Sequence, residues 1–293
     1  MSGTGGTGTA GSSYEEEITR WRQAREERLK SPTGWLSLAG LSWLKEGENT
    51  FGTDSKGDVV LPAGSVPPRA GVIVLKAGKI TVTLADGVSA TLAGKPVKVT
   101  ELHHDVPGPP DVLSFGAVTL QPILRGGTRY GIRVRDTNNP ARRDFAGLRW
   151  FPIRPELKLT ARFVPHEKPV SMTVPAVVGP PQVLVSPGTA IFSVGGRELR
   201  LDAVLDEPTS TELFFLFRDQ TAGKGTYGGG RFLYTPLPKD GQVVMDFNKA
   251  FSPPCAYSPW ATCPLPPPQN RMAVRIEAGE LAPPPDSHPA SHP

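Results

Sequence analysis

Proline and glycine are spread along the whole chain, and they limit what it can fold into. The 293 residues include 33 prolines and 32 glycines, which stand between short apolar runs instead of in one tract. Proline disrupts helix interiors, and both residues favour turns. The pattern therefore predicts many short strands joined by turns, and the length favours two modules that each bury a core of their own.

One segment near the N-terminus has helical periodicity instead. Large side chains recur there at the spacing of one helix face, namely Tyr14, Ile18, Trp21 and Arg25. Ser13 and Glu16 have the spacing of a capping box, and Pro32 predicts that the helix ends near Lys30. The apolar stripe is narrow, which is typical of a helix laid across the outside of a β domain.

The rest of the sequence predicts two series of strands. Runs such as GVIVLKAG, KITVTLADG and RYGIRVRD continue to about residue 150, and a second series extends from LKLTARFVP to RMAVRIEAG. We therefore expect a mainly β protein, with an N-terminal helix and a β module over residues 13–150 and a second β-barrel or β-sandwich over 151–280. Residues 1–12, rich in glycine, serine and threonine, and the proline-rich residues 281–293 are expected to be a disordered leader and tail.

Three short segments carry local predictions. The stretch from Trp35 to Leu44 is compatible with either a helical turn or two short strands. Gly195-Gly196, between two predicted strands, indicates a tight hairpin. Arg133 and Arg135 alternate along one predicted strand, so they share a face, and such a face is most often solvated.

Charge and composition narrow the classes of partner. The formal charge of +4 comes from 32 basic and 28 acidic residues, and glutamates interrupt the densest basic stretch, RWRQAREERLK. Nucleic-acid binding needs basic residues clustered on one element, so no nucleic-acid partner is predicted. The N-terminus lacks the pattern of a signal peptide, and no apolar run approaches membrane-spanning length. We therefore expect a cytoplasmic protein with no membrane partner, whose cysteines are thiols.

The first β series resembles the core of a forkhead-associated (FHA) domain. The resemblance rests on the order of strands and loops in ENTFGTDSKGDVVLPAGSVPPRAGVIVLKAGKITVTLADGVSATLAGKPV. FHA domains bind phosphothreonine through an arginine just after the first glycine and a serine in the next loop. Here Gly52 is followed by Thr53 and Asp54, and an aspartate would repel a phosphate. The resemblance therefore implies an FHA-like β-sandwich that serves as structural support, with phosphopeptide binding disfavoured.

The C-terminal part carries the most specific stretch. Cys255 and Cys263 lie in PPCAYSPWATCPLPPPQNR, a proline-rich segment over residues 253–271 that we call the Pro/Cys loop. Together with FRDQTAGKGTYGGGRFLY, RGGTRYGIRVRD and FAGLRWFPI, it resembles the bacterial DUF1684 family over about residues 14–280. That resemblance implies two β-rich parts in one unit and no activity, because the family has no assigned function.

The prolines of the Pro/Cys loop make its backbone nearly rigid, and one or more of the peptide bonds before them can be cis. A rigid loop can seal the open end of a barrel, with both thiols as small buried hydrophobes, or it can form the wall of a pocket. Three roles of the cysteines stay open beside these. A disulfide would be reduced in cytosol, a metal site would need two further ligands, and a nucleophile would need a neighbouring base.

These patterns predict that the second module binds a small, partly apolar ligand with an anionic group. Tyr257 and Trp260 would supply the packing surface, and Arg231 or Arg271 the anion partner. The full set of candidate site residues is Arg231, Tyr227, Asp219, Asp246, Asn248, Cys255, Tyr257, Trp260, Cys263, Asn270 and Arg271. The sequence assigns no cofactor and no metal site.

Three alternatives accompany this prediction. Arg231 could simply pair with Asp219 or Asp246 and lock a hairpin. The protein could be an enzyme that uses Cys255 or Cys263 as a nucleophile or metal ligand. It could also be a protein-interaction scaffold that acts through the FHA-like module.

Overall fold

The computed structural model describes residues 9–205 and 209–284, with side chains from residue 13 onward. Residues 1–8 of the predicted leader lie outside the described residues. So do residues 285–293 of the predicted tail, which contain His288 and His292.

The N-terminal helix is longer than the sequence predicts. Helix α1 spans Thr9–Lys30 and so begins four residues before the predicted cap at Ser13. Extending a helix costs little once its later turns are docked. The predicted face is the docked one: Ile18 is fully buried, and the Tyr14 hydroxyl donates to Asp246 Oδ1 at 2.8 Å. The helix therefore lies against the second β module.

The first module is a sandwich of two sheets. Its strands are β1 Leu38–Trp43, β2 Gly47–Gly52, β3 Val59–Val60, β4 Gly71–Lys76, β5 Lys79–Leu84, β6 Ala90–Leu92, β7 Lys95–Val97, β8 Val99–Leu102, β9 Leu113–Phe115, β10 Val118–Arg125 and β11 Arg129–Asp136. One sheet has the order β1-β11-β10-β9-β6-β7 and the other β3-β2-β4-β5-β8. Phe51, Ile73, Leu120 and Val134 are among the residues of the core between them. Pairing is antiparallel except between β2 and β3.

The second module is one six-stranded sheet that curls into a nearly closed barrel. Its strands are β12 Lys158–Val174, β13 Gln182–Val194, β14 Arg197–Leu205, β15 Glu212–Phe217, β16 Arg231–Pro236 and β17 Gln242–Asp246. They follow the order β16-β15-β14-β13-β12-β17, and the two edge strands lie against each other. The mainly β architecture predicted from the sequence is confirmed.

Strand β15 contributes side chains to two apolar clusters, one inside the barrel and one on its outer face. Its sequence ELFFLF is buried at every position but the first. Phe215 and Phe217 belong to the inner core, whereas Phe214 and Leu216 point to a second apolar cluster outside the barrel. A strand that is apolar on both faces must be covered on both, so something has to pack against its outer side.

The connections hold the remaining short elements. Helix α2 spans Pro140–Arg143, and single 3-10 turns lie at Trp35–Ser37, Pro155–Leu157, Phe247–Lys249, Pro254–Ala256 and Pro268–Asn270. The segment after Trp35 thus contains both a helical turn and a strand. Gly195 and Gly196 have φ of +57° and +76°, which fits the predicted two-residue hairpin between β13 and β14. Within the described residues the cis peptide bond precedes Pro107, and none lies in the Pro/Cys loop.

Candidate functional site

The Pro/Cys loop packs against a side of the barrel. Cys255, Ala261 and Cys263 form one apolar cluster with Phe214 and Leu216 on the outer face of the sheet. The neighbouring Ala256 and Tyr257 pack against Leu29 of α1 and Leu36. The loop is therefore the cover that strand β15 requires, and it also joins the barrel to the helix.

The two cysteines are buried thiols that contact each other. The Cys255 amide donates to Cys263 Sγ at 3.2 Å, and neither residue is in a disulfide. A hydrogen bond from Cys263 lowers the pKa of the Cys255 thiol, whereas the same interaction and burial raise the pKa of Cys263. The pair therefore loses its first proton from Cys255. The Tyr227 hydroxyl donates to the Cys255 carbonyl oxygen at 3.3 Å, so its position supports the loop backbone.

Arg231 and Asp219 form an ion pair in the interior, 3.3 Å apart and each with a side chain 1% exposed. The guanidinium also donates to the carbonyl oxygens of Ile276, at 2.9 Å, and Ala278. Asp219 accepts hydrogen bonds from the Thr221 hydroxyl at 2.7 Å and from the Ile276 amide at 2.6 Å. The predicted anion partner is thus occupied by the chain itself, as in the alternative in which Arg231 pairs with Asp219.

Asp246 and Asn248 form hydrogen bonds with helix α1 and with Arg154, which precedes the 3-10 turn at Pro155–Leu157. Asp246 Oδ1 accepts from Tyr14, while the Asn248 amide group donates to the Arg154 carbonyl oxygen at 2.7 Å and accepts from the Arg154 amide at 2.8 Å. The side chain of Asn248 is fully buried. Burial and Asp246 raise the pKa of Tyr14, so its hydroxyl stays a donor. The hydrogen bond to Asp246 therefore holds α1 against the second module at Tyr14.

Asn270 closes a gap between β14 and β15, which among the described residues pair at Val204 and Phe214. Its side chain accepts from the Asp202 amide at 2.8 Å and donates to the Leu216 carbonyl oxygen at 2.9 Å. The neighbouring Arg271 is exposed. The two residues that end the Pro/Cys loop therefore point to different environments and do not form one site.

Tyr257 takes part in a buried network that the sequence did not indicate. Its hydroxyl donates to Glu280 Oε1, and Glu280, with no exposed surface, also accepts from the Ser252 amide at 3.1 Å. Arg25 of α1 approaches Glu280 Oε2 at 3.3 Å. Burial and the Glu280 carboxylate raise the pKa of Tyr257. A lone glutamate after a glycine carries no pattern that would have identified this role.

Trp260 is the candidate that borders open space. It lines a groove of about 610 Å³ together with Pro259, the edge strand β1, the segment Val60–Pro62 and the turn from Asp136 to Pro140. Strand β1 ends its sheet, so its outer edge is left for the groove. The groove lies between the two modules, and the sequence placed the ligand site in the second module.

The prediction that Arg133 and Arg135 lie on a solvated face is wrong. They share one face of β11, but they are only 9% and 7% exposed because Trp35 covers both guanidinium groups, at 5.2 and 5.5 Å from its ring. Arg125 joins them from β10 and donates to Thr262 of the Pro/Cys loop at 3.3 Å. Strand alternation identified the shared face, and it carries no information about what covers that face.

His103 and His104 are adjacent in sequence but contact different residues. His103 Nδ1 lies 2.7 Å from Asp111 Oδ2, whereas His104 packs against the ring of Tyr130. Across the part of the chain that the structure describes, no group of three histidine, cysteine or carboxylate side chains is arranged to hold a metal ion. The same residues contain no helix with the length and apolar character needed to cross a membrane.

Comparisons with known proteins agree with the sequence resemblances. The model of DUF1684, a family of proteins of unknown function, matches residues 143–281. A solution NMR structure of an uncharacterised protein from Haloarcula marismortui, gene locus rrnAC0354, is 35% identical over 48% of this chain and 80% of that one, with a TM-score of 0.41. No curated protein matches.

FHA domains are also among the similar solved structures. The FhaA FHA domain, crystallised with the intracellular domain of Rv3910, is 20% identical over 32% of this chain and 97% of that one, with a TM-score of 0.23. The Rv0020c FHA structure is 22% identical over 33% and 94%, with a TM-score of 0.22. Scores this low transfer no function.

Proposed function

Because the chain matches the DUF1684 family, whose function is unassigned, over residues 143–281, we propose a role from its own geometry: it binds a small, mainly apolar ligand in the groove beside Trp260. The observation that carries this proposal is the groove itself. Its volume of about 610 Å³ falls in the range of small-molecule sites, roughly 300–1,000 Å³. Leu41, Leu61 and Trp260 give it apolar walls.

The walls of the groove are suited to hold a ligand without large rearrangement. Pro62, Pro140 and Pro259 each fix a backbone angle, so little further entropy is lost when a ligand binds. The indole of Trp260 offers a broad flat surface for an apolar or aromatic group. Ligand recognition here would depend mainly on shape and apolar contact.

The polar residues of the groove bear on the ligand's charge. Ser42, Ser55, Asp136 and Asn139 line it, and within the described residues the lining includes neither lysine nor arginine. Arg231 is paired in the interior, and Arg271 is not part of this lining. The groove therefore favours an uncharged ligand with a hydrogen-bond donor over the anionic ligand that the sequence predicts.

Native and denaturing intact mass of the purified chain test this proposal. We expect extra mass that disappears on denaturation, since a preorganised apolar groove retains its ligand through purification. Trp260→Ala should lose that mass because it removes the flat wall. Val244→Ala, at an exposed position on the barrel, is the matched control and should keep it. Equal retention by both variants would place the ligand elsewhere, and no retained mass together with no thermal shift from a fragment set would refute ligand binding.

The enzyme alternative has less support. A nucleophile must reach its substrate, and Cys255 and Cys263 are 5% and 4% exposed within a packed apolar cluster. Both thiols pack against Phe214 and Leu216, so covering the outer face of β15 is enough to explain why they are there.

A further inference from the structure

The outer face of the first sheet brings three arginines together at the junction of the two modules. Arg133 and Arg135 are two residues apart on β11, and Arg125 lies on the adjacent β10. Trp35 packs over two of them, and the Pro/Cys loop contacts the third. This face is therefore enclosed, and its charges are largely removed from water.

Two of these three guanidinium groups have several hydrogen-bond partners. Arg125 binds the Asp105 carboxylate with two parallel hydrogen bonds of 2.9 and 2.8 Å. Arg135 donates to the Gly34 carbonyl oxygen at 2.6 Å, the Ser37 hydroxyl at 3.1 Å and Gln121 Oε1 at 3.2 Å. Such partners compensate for the loss of water around a buried guanidinium.

Arg133 differs from both neighbours. It is 9% exposed, yet among the described residues it makes no hydrogen bond and no ion pair, and its Nε is buried without an acceptor. Its contact is the face of the Trp35 ring, which leaves the edge of the guanidinium unoccupied. Burial, followed by the charges of Arg125 and Arg135, lowers the pKa of Arg133 to about 10, so it remains a cation at neutral pH.

The charges of this cluster do not balance. Three guanidinium groups face one carboxylate, that of Asp105, and this carboxylate is bound by Arg125. The thiol of Cys263 is the other nearby acid, but its raised pKa keeps it neutral. A buried cation without a counter-charge is costly, and an anion from solution can reduce that cost.

We propose that Arg133 is the centre of a binding site for a small oxyanion, either a carboxylate or a phosphate group, between the first sheet and the Pro/Cys loop. The planar donor edge of a guanidinium matches the two oxygens of either group. Trp35 holds that edge in a fixed orientation from one side. The proposal does not depend on the groove at Trp260, whose lining excludes Arg133.

Thermal unfolding of the full chain in inorganic phosphate, and separately in acetate, tests the site at constant ionic strength set with chloride. The wild type should show a saturable rise in Tm of a few degrees with at least one of these anions, because binding to the folded state stabilises it. Arg133→Met should abolish this rise. It should also raise the Tm in chloride alone, because it removes an unpaired buried charge while keeping an apolar side chain of similar length.

Arg129→Met is the matched control. Arg129 lies on the same strand and also packs over a tryptophan, Trp43, at 4.5 Å, but it is exposed. This variant should keep the full response to the anion. Arg133→Lys keeps the charge and loses the planar donor edge, so the half-saturating concentration should rise by about tenfold.

The proposal would be overturned if Arg133→Met responded to the anion like the wild type, or if neither anion stabilised the wild type. The anion with the lower half-saturation identifies the preferred head group. If Arg133→Met does not fold, Arg133→Lys decides the outcome, because an unchanged half-saturation would also contradict the site. Trp260→Ala should retain the anion response, so the groove and the anion site can fail independently.

Discussion

A buried arginine can stabilise or destabilise this protein, depending on its partners. Arg231 and Arg133 both have a buried Nε without an acceptor. The rest of the Arg231 guanidinium binds Asp219 and two carbonyl oxygens, whereas that of Arg133 has no hydrogen-bond partner among the described residues. The free-energy cost of burying the guanidinium is therefore offset for Arg231 and not for Arg133.

Substitution of Arg231 should accordingly lower the stability of the protein, whereas substitution of Arg133 should raise it. Arg231→Met leaves Asp219 buried without its cation, and we expect the free energy of unfolding to fall by about 3–5 kcal/mol. Urea denaturation followed by circular dichroism measures this. Arg200→Gln, in an exposed pair with Glu198, is the control and should cost at most about 0.5 kcal/mol. A loss below about 1 kcal/mol for Arg231→Met would show that the ion pair does not hold the segment 276–278 in place.

At the scale of elements, the loop between β2 and β3 depends on one carboxylate. Asp58 accepts hydrogen bonds from Lys45 Nζ at 2.7 Å, the Thr50 amide at 2.8 Å and the Thr50 hydroxyl at 2.9 Å. The hydrogen bond from Lys45, then those from Thr50, lower the pKa of Asp58 from 3.8 to about 2. The loop is thus fastened at both ends by an ionised group.

This shift predicts a pH dependence of stability. The folded-state pKa is lower than the unfolded one, so the contribution is complete above about pH 5 and is lost as the pH falls through about 2. Asp58→Asn should be less stable than the wild type by at most about 1 kcal/mol at pH 6, given its partial exposure, and this difference should shrink through pH 2 and vanish near about pH 1. Urea midpoints from about pH 1 to 6 measure the difference. A gap that is undiminished at about pH 1 would mean that amide geometry, and not charge, determines it.

The sequence predicted elements and faces better than it predicted their partners. The docked face of α1 and the Gly195-Gly196 hairpin follow from periodicity and turn chemistry, which are local. The covering of Arg133 depends on Trp35, nearly a hundred residues away, and local alternation does not encode such a contact. For the same reason the Pro/Cys loop was recognised as rigid, while the side of the barrel that it covers was not predicted.

At the scale of the whole molecule, the two ends of the described chain meet on the second module. Arg25 of α1 reaches Glu280 near the last described residues, and Glu280 in turn binds Tyr257 and Ser252. The first module lies between these ends in sequence, and it touches the Pro/Cys loop through Arg125. The helix, both β modules and the loop therefore share contacts that any separation of the modules would break.

Glu280→Gln tests whether these contacts join the modules into one cooperative unit. The substitution leaves the Arg25 guanidinium, in a residue 7% exposed, without its carboxylate, so we expect a loss of about 3 kcal/mol in the free energy of unfolding. Calorimetry should show one transition for the wild type and one transition at lower temperature for the variant, with tryptophan fluorescence and circular dichroism coinciding. Glu198→Gln, which removes a carboxylate from an exposed pair, should leave the transition in place. Two wild-type transitions, of which Glu280→Gln moves only one, would instead mean that the modules unfold independently and that Glu280 stabilises one of them alone.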